Sequence, residues 1–138
     1  MLSIKKSQIP NAGSGLWAEK NFKRGEDIVL YDGEKVTWKE CERRNRAQPG
    51  MGSYYLFVSK TKCIDAQHTP SAKGRYANDA KGLTRLEGLR NNARYEVVKG
   101  QVFIKASRNI KAGEEIFVSY GTSYWNTLRK EILYRSNP

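Results

Sequence analysis

The sequence predicts a mainly β fold of many short strands with a few short helices, and three observations lead to it. Strand formers come in brief runs, as at Asp27 to Tyr31, Ser53 to Ser59 and Gln101 to Ala106. Glycine-bearing turns separate the runs, at Asn11 to Gly15, Lys23 to Gly25, Lys99-Gly100 and Ala112-Gly113. Helical spacing is confined to two short stretches, and 138 residues suit one domain over 1–138 with one core.

The elements follow in order. After the turn at Asn11 to Gly15, Leu16 to Glu19 and Asp27 to Tyr31 read as strands, with Val29 and Tyr31 on one face. Thr37 and Glu40 have capping-box spacing, and WKECERRNRAQ continues as a polar helix stopped by Pro49-Gly50. SYYLFVS (53–59) is a strand in which Tyr54 and Tyr55 face opposite ways, and Lys62 to Asp65 either continues it or pairs with it. Residues 66 to 92 carry few apolar side chains and several glycines. A segment of that length without regular structure inside a small domain is mobile or functional. Ala93 to Val98 and Gln101 to Ala106 form a hairpin around Lys99-Gly100. Ile116 to Ser119 is a last strand, and Trp125, Leu128 and Ile132 share a helical face in the tail.

Twenty-five lysines and arginines against 14 aspartates and glutamates give a formal charge of +11. An anionic partner is expected, nucleic acid first, because cations that neutralise phosphates release counterions. A merely solvated basic surface has the same composition. Cys41, Cys63 and His68 fall short of a four-ligand zinc site, so no metal is expected. The two cysteines read as buried thiols in a reducing compartment, with one disulfide as the alternative. No run approaches the ~20 apolar residues of a membrane span, and MLSIKKSQIP lacks a signal-peptide core, so an intracellular protein with no membrane partner is expected.

Familiar catalytic constellations fail in turn. A triad would need His68, which stands in the turn-like AQHTPSAKG. AGSGLWA has Gly-x-Gly without the third glycine or a βαβ unit, so a dinucleotide fold is unsupported. Glu114 and Glu115 would point to opposite faces of a strand and read as a solvated turn rather than a convergent pair.

Three separated stretches carry more information together: NAGSGLWAEKNFKRGEDIVLYDGE (11–34), GRYANDAKG (74–82) with NNARYEV (91–97), and ASRNIKAGEEIFVSYG (106–121). Their order and spacing resemble the SET-domain protein lysine methyltransferases, and the likeness extends over nearly the whole chain. The minimal, zinc-free members, including small viral ones, are the most similar, since no cysteine-rich segments flank the domain. The resemblance implies several small sheets with a pseudoknot-like C-terminal crossing, which 74–82 and 91–97 form at the active site. Two departures stand out: Asp79 and Ala80 occupy the places of the family's His-Ser, and Asn91-Asn92 stands for Pro-Asn after an insertion, KGLTRLEGLR.

What the resemblance implies for chemistry is methyl transfer from S-adenosyl-L-methionine to a lysine of a protein substrate, a histone tail or nucleosome in chromatin. A non-histone basic protein is the alternative target, and a catalytically silent nucleosome-binding module the alternative class. Tyr120 takes the catalytic position. Gly13, Ser14, Gly15, Leu16 and Trp17 match the cofactor loop, with glycine there for close backbone approach. Asn78 would bond the cofactor, Asp79 would act mainly through its backbone, and Arg75 and Tyr76 would support the loop. Trp125, in the segment 122–138 that closes the site, would cover the adenine. Tyr31 and Val118 would line the lysine channel. Of Tyr54 and Tyr55 only one can face inward; Tyr55 is assigned to the channel and Tyr54 to the cofactor side, and alternation leaves open which is right. A cationic tail calls for an acidic groove, with Asp32, Glu34 and Asp65 as candidates, or for DNA contact through a basic surface, with Arg43, Arg44 and Arg46 as candidates.

Overall fold

Turn chemistry sets the strand boundaries in the computed structural model, which describes residues 1–47, 55–58, 61–69, 72–81 and 86–119. Among the described residues, nine strands and one α-helix follow one another: Leu2–Lys6 (β1), Ser14–Ala18 (β2), Asp27–Leu30 (β3), Glu34–Thr37 (β4), Trp38–Ala47 (α1), Tyr55–Phe57 (β5), Lys62–Asp65 (β6), Ala93–Val98 (β7), Gln101–Ala106 (β8) and Glu115–Ile116 (β9). A 3-10 turn, Lys73–Tyr76, lies between β6 and β7. Lys99 and Gly100 adopt φ of 52° and 79°, the left-handed pair that a two-residue hairpin needs. Val98 accordingly pairs with Gln101.

The strands form three small antiparallel sheets, ordered β1-β2-β9, β3-β8-β7 and β4-β6-β5. Lys62–Asp65 thus pairs with both β4 and β5 rather than continuing β5. The sequence reading lacked β1 and β4. Leu2 and Ile4 do alternate, but EKVT has one apolar side chain and becomes a strand through its ladder with β6.

Two cores join the sheets. Leu16 and Ala18 of β2 pack with Ile104 and Ala106 of β8, together with Phe22, Ile110, Ile116 and Val118. Alternation explains the pairs, since residues two apart along a strand share a face. A second cluster of Tyr31, Ile64, Ala66 and Val102 fastens the β4-β6-β5 sheet to the β3-β8-β7 sheet.

Helix α1 starts as its capping residues direct, with the Glu40 amide donating to Thr37 Oγ1 at 3.2 Å. It lays Cys41 against β6, where Cys41 and Cys63 are joined in a disulfide. Buried thiols were the expectation. Spacing of 22 residues gave no hint of the pairing, which depends on the helix packing across the strand. Closing a loop of that length restricts the unfolded chain by about 3 kcal/mol on the chain-entropy relation. Chemical denaturation with and without reductant is expected to differ by that order, and a Cys41→Ser variant should be insensitive to reductant.

Candidate active site

The C-terminal segment 115–119 passes between two loops that are distant in sequence. Asn78 bridges Phe117 and Ala93 bridges Val118, both in parallel sense. The Val118 amide donates to Asn78 O at 2.8 Å, and the Asn92 and Ala93 amides both donate to Phe117 O at 3.0 Å. Asn92, 2% exposed, fixes this arrangement with its carboxamide. Its Nδ2 donates to Glu115 O at 3.0 Å, and its Oδ1 accepts from the Phe117 amide at 2.8 Å. Segments 77–80 and 91–93 therefore clasp one strand from two sides, the crossing that the resemblance implied. Phe117 closes it by packing with Ile9 and Ala80.

The glycine loop lies beside this crossing. Gly13 has φ of 71°, and no atom lies within 4 Å of where a β-carbon would stand. Asn78 Nδ2 donates to Ser14 O at 3.0 Å, tying the loop to the segment that meets the last strand. Gly15 is glycine for a different reason than cofactor approach alone: a β-carbon there would collide with the Glu115 carboxylate. Glu115 is not part of a solvated turn. It is 2% exposed, its Oε2 accepts from Ser7 Oγ at 2.6 Å, and its Oε1 accepts from the Gln8 amide at 2.9 Å. Alternation predicted opposite faces for Glu114 and Glu115, and the inward one meets donors from the turn after β1. Leu16 is fully buried, whereas Trp17 is half-buried with the Lys5 ammonium 4.9 Å above its ring. Its buried indole N–H has no hydrogen-bond partner among the described residues.

Arg75 holds the long middle segment in place. Its Nη1 donates to Ala66 O at 2.9 Å and Gln67 O at 3.1 Å, while its Nη2 donates to Tyr76 Oη at 3.0 Å. The Tyr76 ring packs against the first core. The Asp79 side chain is engaged within the fold. The buried carboxylate accepts from the Lys81 amide at 2.8 Å and from Asn91 Nδ2 at 2.9 Å, and Asn91 Oδ1 accepts from the Ala80 amide at 2.8 Å. The residues that depart from the family pattern at 79 and 91 thus bond each other across the base of the insertion.

Tyr31 is 5% exposed and meets Tyr95 edge-on, with centroids 6.0 Å apart. Gly74 packs on it closely, a β-carbon there falling 3.3 Å from Tyr31 Cα. Val118 is fully buried two residues before Tyr120. Tyr55 lies opposite Asp65 in the β5–β6 ladder. Tyr54, Tyr120 and Trp125 lie outside the described residues, as does the expected tail helix.

A profile of the SET domain matches residues 13–121. The chain belongs to the SET-domain family. Among curated relatives, the N-lysine methyltransferase KMT5A of Xenopus tropicalis is 32% identical over 127 residues, covering 86% of this chain and 36% of the relative. The histone-lysine N-methyltransferase set-1 of Caenorhabditis elegans is 30% identical over 128 residues, covering 86% of this chain and 50% of that protein. This chain therefore spans between a third and a half of those relatives. The same fold occurs in an active polycomb repressive complex 2 in its basal state, with a TM-score of 0.70, 27% identity, and coverage of 88% of this chain and 15% of the other.

Several charges of this SET domain are paired with one another. Arg44 donates to both Glu34 oxygens, at 2.9 and 3.0 Å, and to Asp65 Oδ2 at 2.8 Å. These bonds raise the Arg44 pKa further and, with the nearby guanidinium charge, lower that of Glu34. Arg43 pairs with Glu40, whose carboxyl is held below its ordinary range chiefly by that bond. Arg43 and Arg44 are thus paired, whereas Arg46 is exposed and makes no ion pair among the described residues, and Glu34 and Asp65 are engaged by Arg44. Sequence spacing could not reveal this, because α1 delivers Arg44 to a pair of carboxylates that sit on facing strands. Asp32 remains exposed, accepting only from the Gly33 amide at 2.9 Å among the described contacts.

Proposed function

We propose that the chain is an S-adenosylmethionine-dependent protein-lysine N-methyltransferase acting on a histone tail. The observation that supports this reading is the crossing, which sets the strand leading to Tyr120 directly against Asn78 and the glycine loop. The printed names of the relatives point to the same activity.

The residues present suit such a cofactor. Space beside Gly13 and the Asn78 side chain at the glycine loop bring backbone and amide groups together, which match a ligand with an amino-acid end. Gly13, Ser14, Gly15, Leu16, Trp17, Asn78 and Asp79 would hold it, with Arg75 and Tyr76 as support and Tyr54 and Trp125 closing over it. When bound, it supplies an electrophilic methyl group.

The chain's own residues then have to deliver a neutral amine in line. Tyr31, buried against Tyr95, with Tyr55 and Val118, would form walls that exclude water from the lysine. Desolvation lowers the amine pKa from its usual ~10.4 and so favours the deprotonated nucleophile. The Tyr120 hydroxyl would orient the nitrogen lone pair, and alignment is the main source of rate in such a displacement. Asp32 offers an exposed carboxylate to a cationic tail. Work on a histone would place the protein in chromatin.

Incubation with labelled cofactor and core histones, free tail peptides or nucleosomes tests the reading. Label is expected on histone lysines. Label on other basic proteins alone would redirect the substrate, and no transfer with no cofactor binding would end the enzyme reading. Tyr120→Phe is expected to lose turnover by about 100-fold with unchanged circular dichroism, and near-parental turnover would remove Tyr120 from the site.

A further inference from the structure

With Arg43 and Arg44 engaged in ion pairs, the charge of +11 has to be expressed elsewhere. The loops 20–25 and 107–113 collect Lys20, Lys23, Arg24, Arg108 and Lys111 at one end of the molecule. Phe22 and Ile110 form an antiparallel bridge and are both buried, so their neighbours along each loop turn outward. Two asparagines clasp the loops reciprocally: Asn21 Oδ1 accepts from the Ala112 amide at 2.9 Å, and Asn109 Oδ1 accepts from the Arg24 amide at 2.9 Å. Gly25 N, donating to Ala106 O at 2.7 Å, closes the other side of Arg24.

The turn that carries Arg24 is thus tied to Asn109, the residue after Arg108, so that the two loops place their cations next to one another. Lys20 is bonded to Glu26 at 2.9 Å, and Glu114 follows Lys111 in the same turn. Lys23, Arg24, Arg108 and Lys111 are exposed and make no ion pair among the described residues.

We propose that this clasped rim binds the phosphate backbone of duplex DNA. Its cations are pre-positioned by a hydrogen-bonded frame rather than carried on a free tail, which limits the entropy lost on binding. None of the exposed large apolar residues, Met1, Ile4, Leu86, Val97 and Val98, lies in these loops. A protein partner needs apolar or aromatic anchors, whereas a phosphate backbone is held by charge alone. Strand β2 runs from Ser14 at the glycine loop to Ala18 at the rim, about 13 Å, so the two occupy opposite ends of that strand. The inference stands on the loops and does not depend on methyl transfer.

The test uses the full chain and a fluorescent duplex of arbitrary sequence, with affinity measured against salt. Each phosphate neutralised contributes about 0.9 to the slope of log affinity on log salt. Lys23→Gln, Arg24→Gln, Arg108→Gln and Lys111→Gln combined are expected to flatten the slope by about 3 to 4, and a change of duplex sequence should have little effect. Arg43→Gln should leave the slope as it is. Should the combined variant fail to fold, Arg24→Gln and Arg108→Gln singly are each expected to lower the slope by about 0.9. An unchanged slope in the folded rim variants would overturn the proposal, as would polyglutamate of equal charge competing as well as DNA.

Discussion

Asn92→Ala is expected to lower the unfolding free energy by about 2–5 kcal/mol, because it strips hydrogen-bond partners from two buried backbone groups. The Phe117 amide loses its acceptor and Glu115 O loses the Nδ2 donor, in a place that water does not reach. For a chain of this size each kcal/mol corresponds to about 4 °C, so the melting temperature should fall by about 8–20 °C. The backbone bonds from the Asn92 and Ala93 amides to Phe117 O survive, so the crossing should loosen rather than vanish. Turnover should fall further than the unfolded fraction explains, because the same strand leads to Tyr120. Asn92→Asp keeps the size but loses the donor and turns a carboxylate towards Glu115 O, so it should resemble the alanine variant. Denaturant titration measures both, and a change below about 0.5 kcal/mol would mean that the carboxamide is not what holds the crossing.

Removing the Glu115 carboxylate should be nearly as costly, and a second substitution can show what Gly15 is for. Glu115→Ala leaves Ser7 Oγ and the Gln8 amide without their acceptor, a loss of about 2–4 kcal/mol. Gly15→Ala alone forces a methyl group into that carboxylate and should cost about 1–3 kcal/mol by overpacking. In the double variant the obstructing carboxylate is gone, so the two losses should not add; the total should stay close to that of Glu115→Ala alone. Strict additivity would show that the glycine serves something other than Glu115. Cofactor affinity measured on the double variant separates the second role. If the backbone at Gly15 is also approached by the cofactor, the double variant should bind it more weakly than Glu115→Ala does, although the two are equally stable.

The hairpin at Lys99-Gly100, the helix start at Thr37 and the opposite faces of Glu114 and Glu115 were legible because each depends on residues within a few positions of one another. A left-handed turn, a capping hydroxyl and a period of two are local properties. The family motifs were legible too, and with them the crossing, since Asn78, Asn91-Asn92 and the stretch ending in Tyr120 keep their order and spacing. Less could be read where a residue's role depends on its partner. Glu115 looked like half of an exposed pair until Ser7, 108 residues earlier, proved to donate to it. Arg44 looked like part of a basic row until α1 set it between Glu34 and Asp65. Asp79 and Asn91 looked like two separate departures, but they bond each other.

The sequence by itself determined a β-rich chain of SET type with its strand and turn punctuation, its cationic excess and the positions at which its chemistry is expected. Tertiary structure alone decided which charges are paired: Arg44 of α1 is taken up by Glu34 and Asp65, while the clasped loops 20–25 and 107–113 assemble a group of unpaired cations. The physical reason is that a charge or a polar group acts through whatever lies within a few ångströms, and separation along the chain says little about that once strands from opposite ends of the sequence are paired.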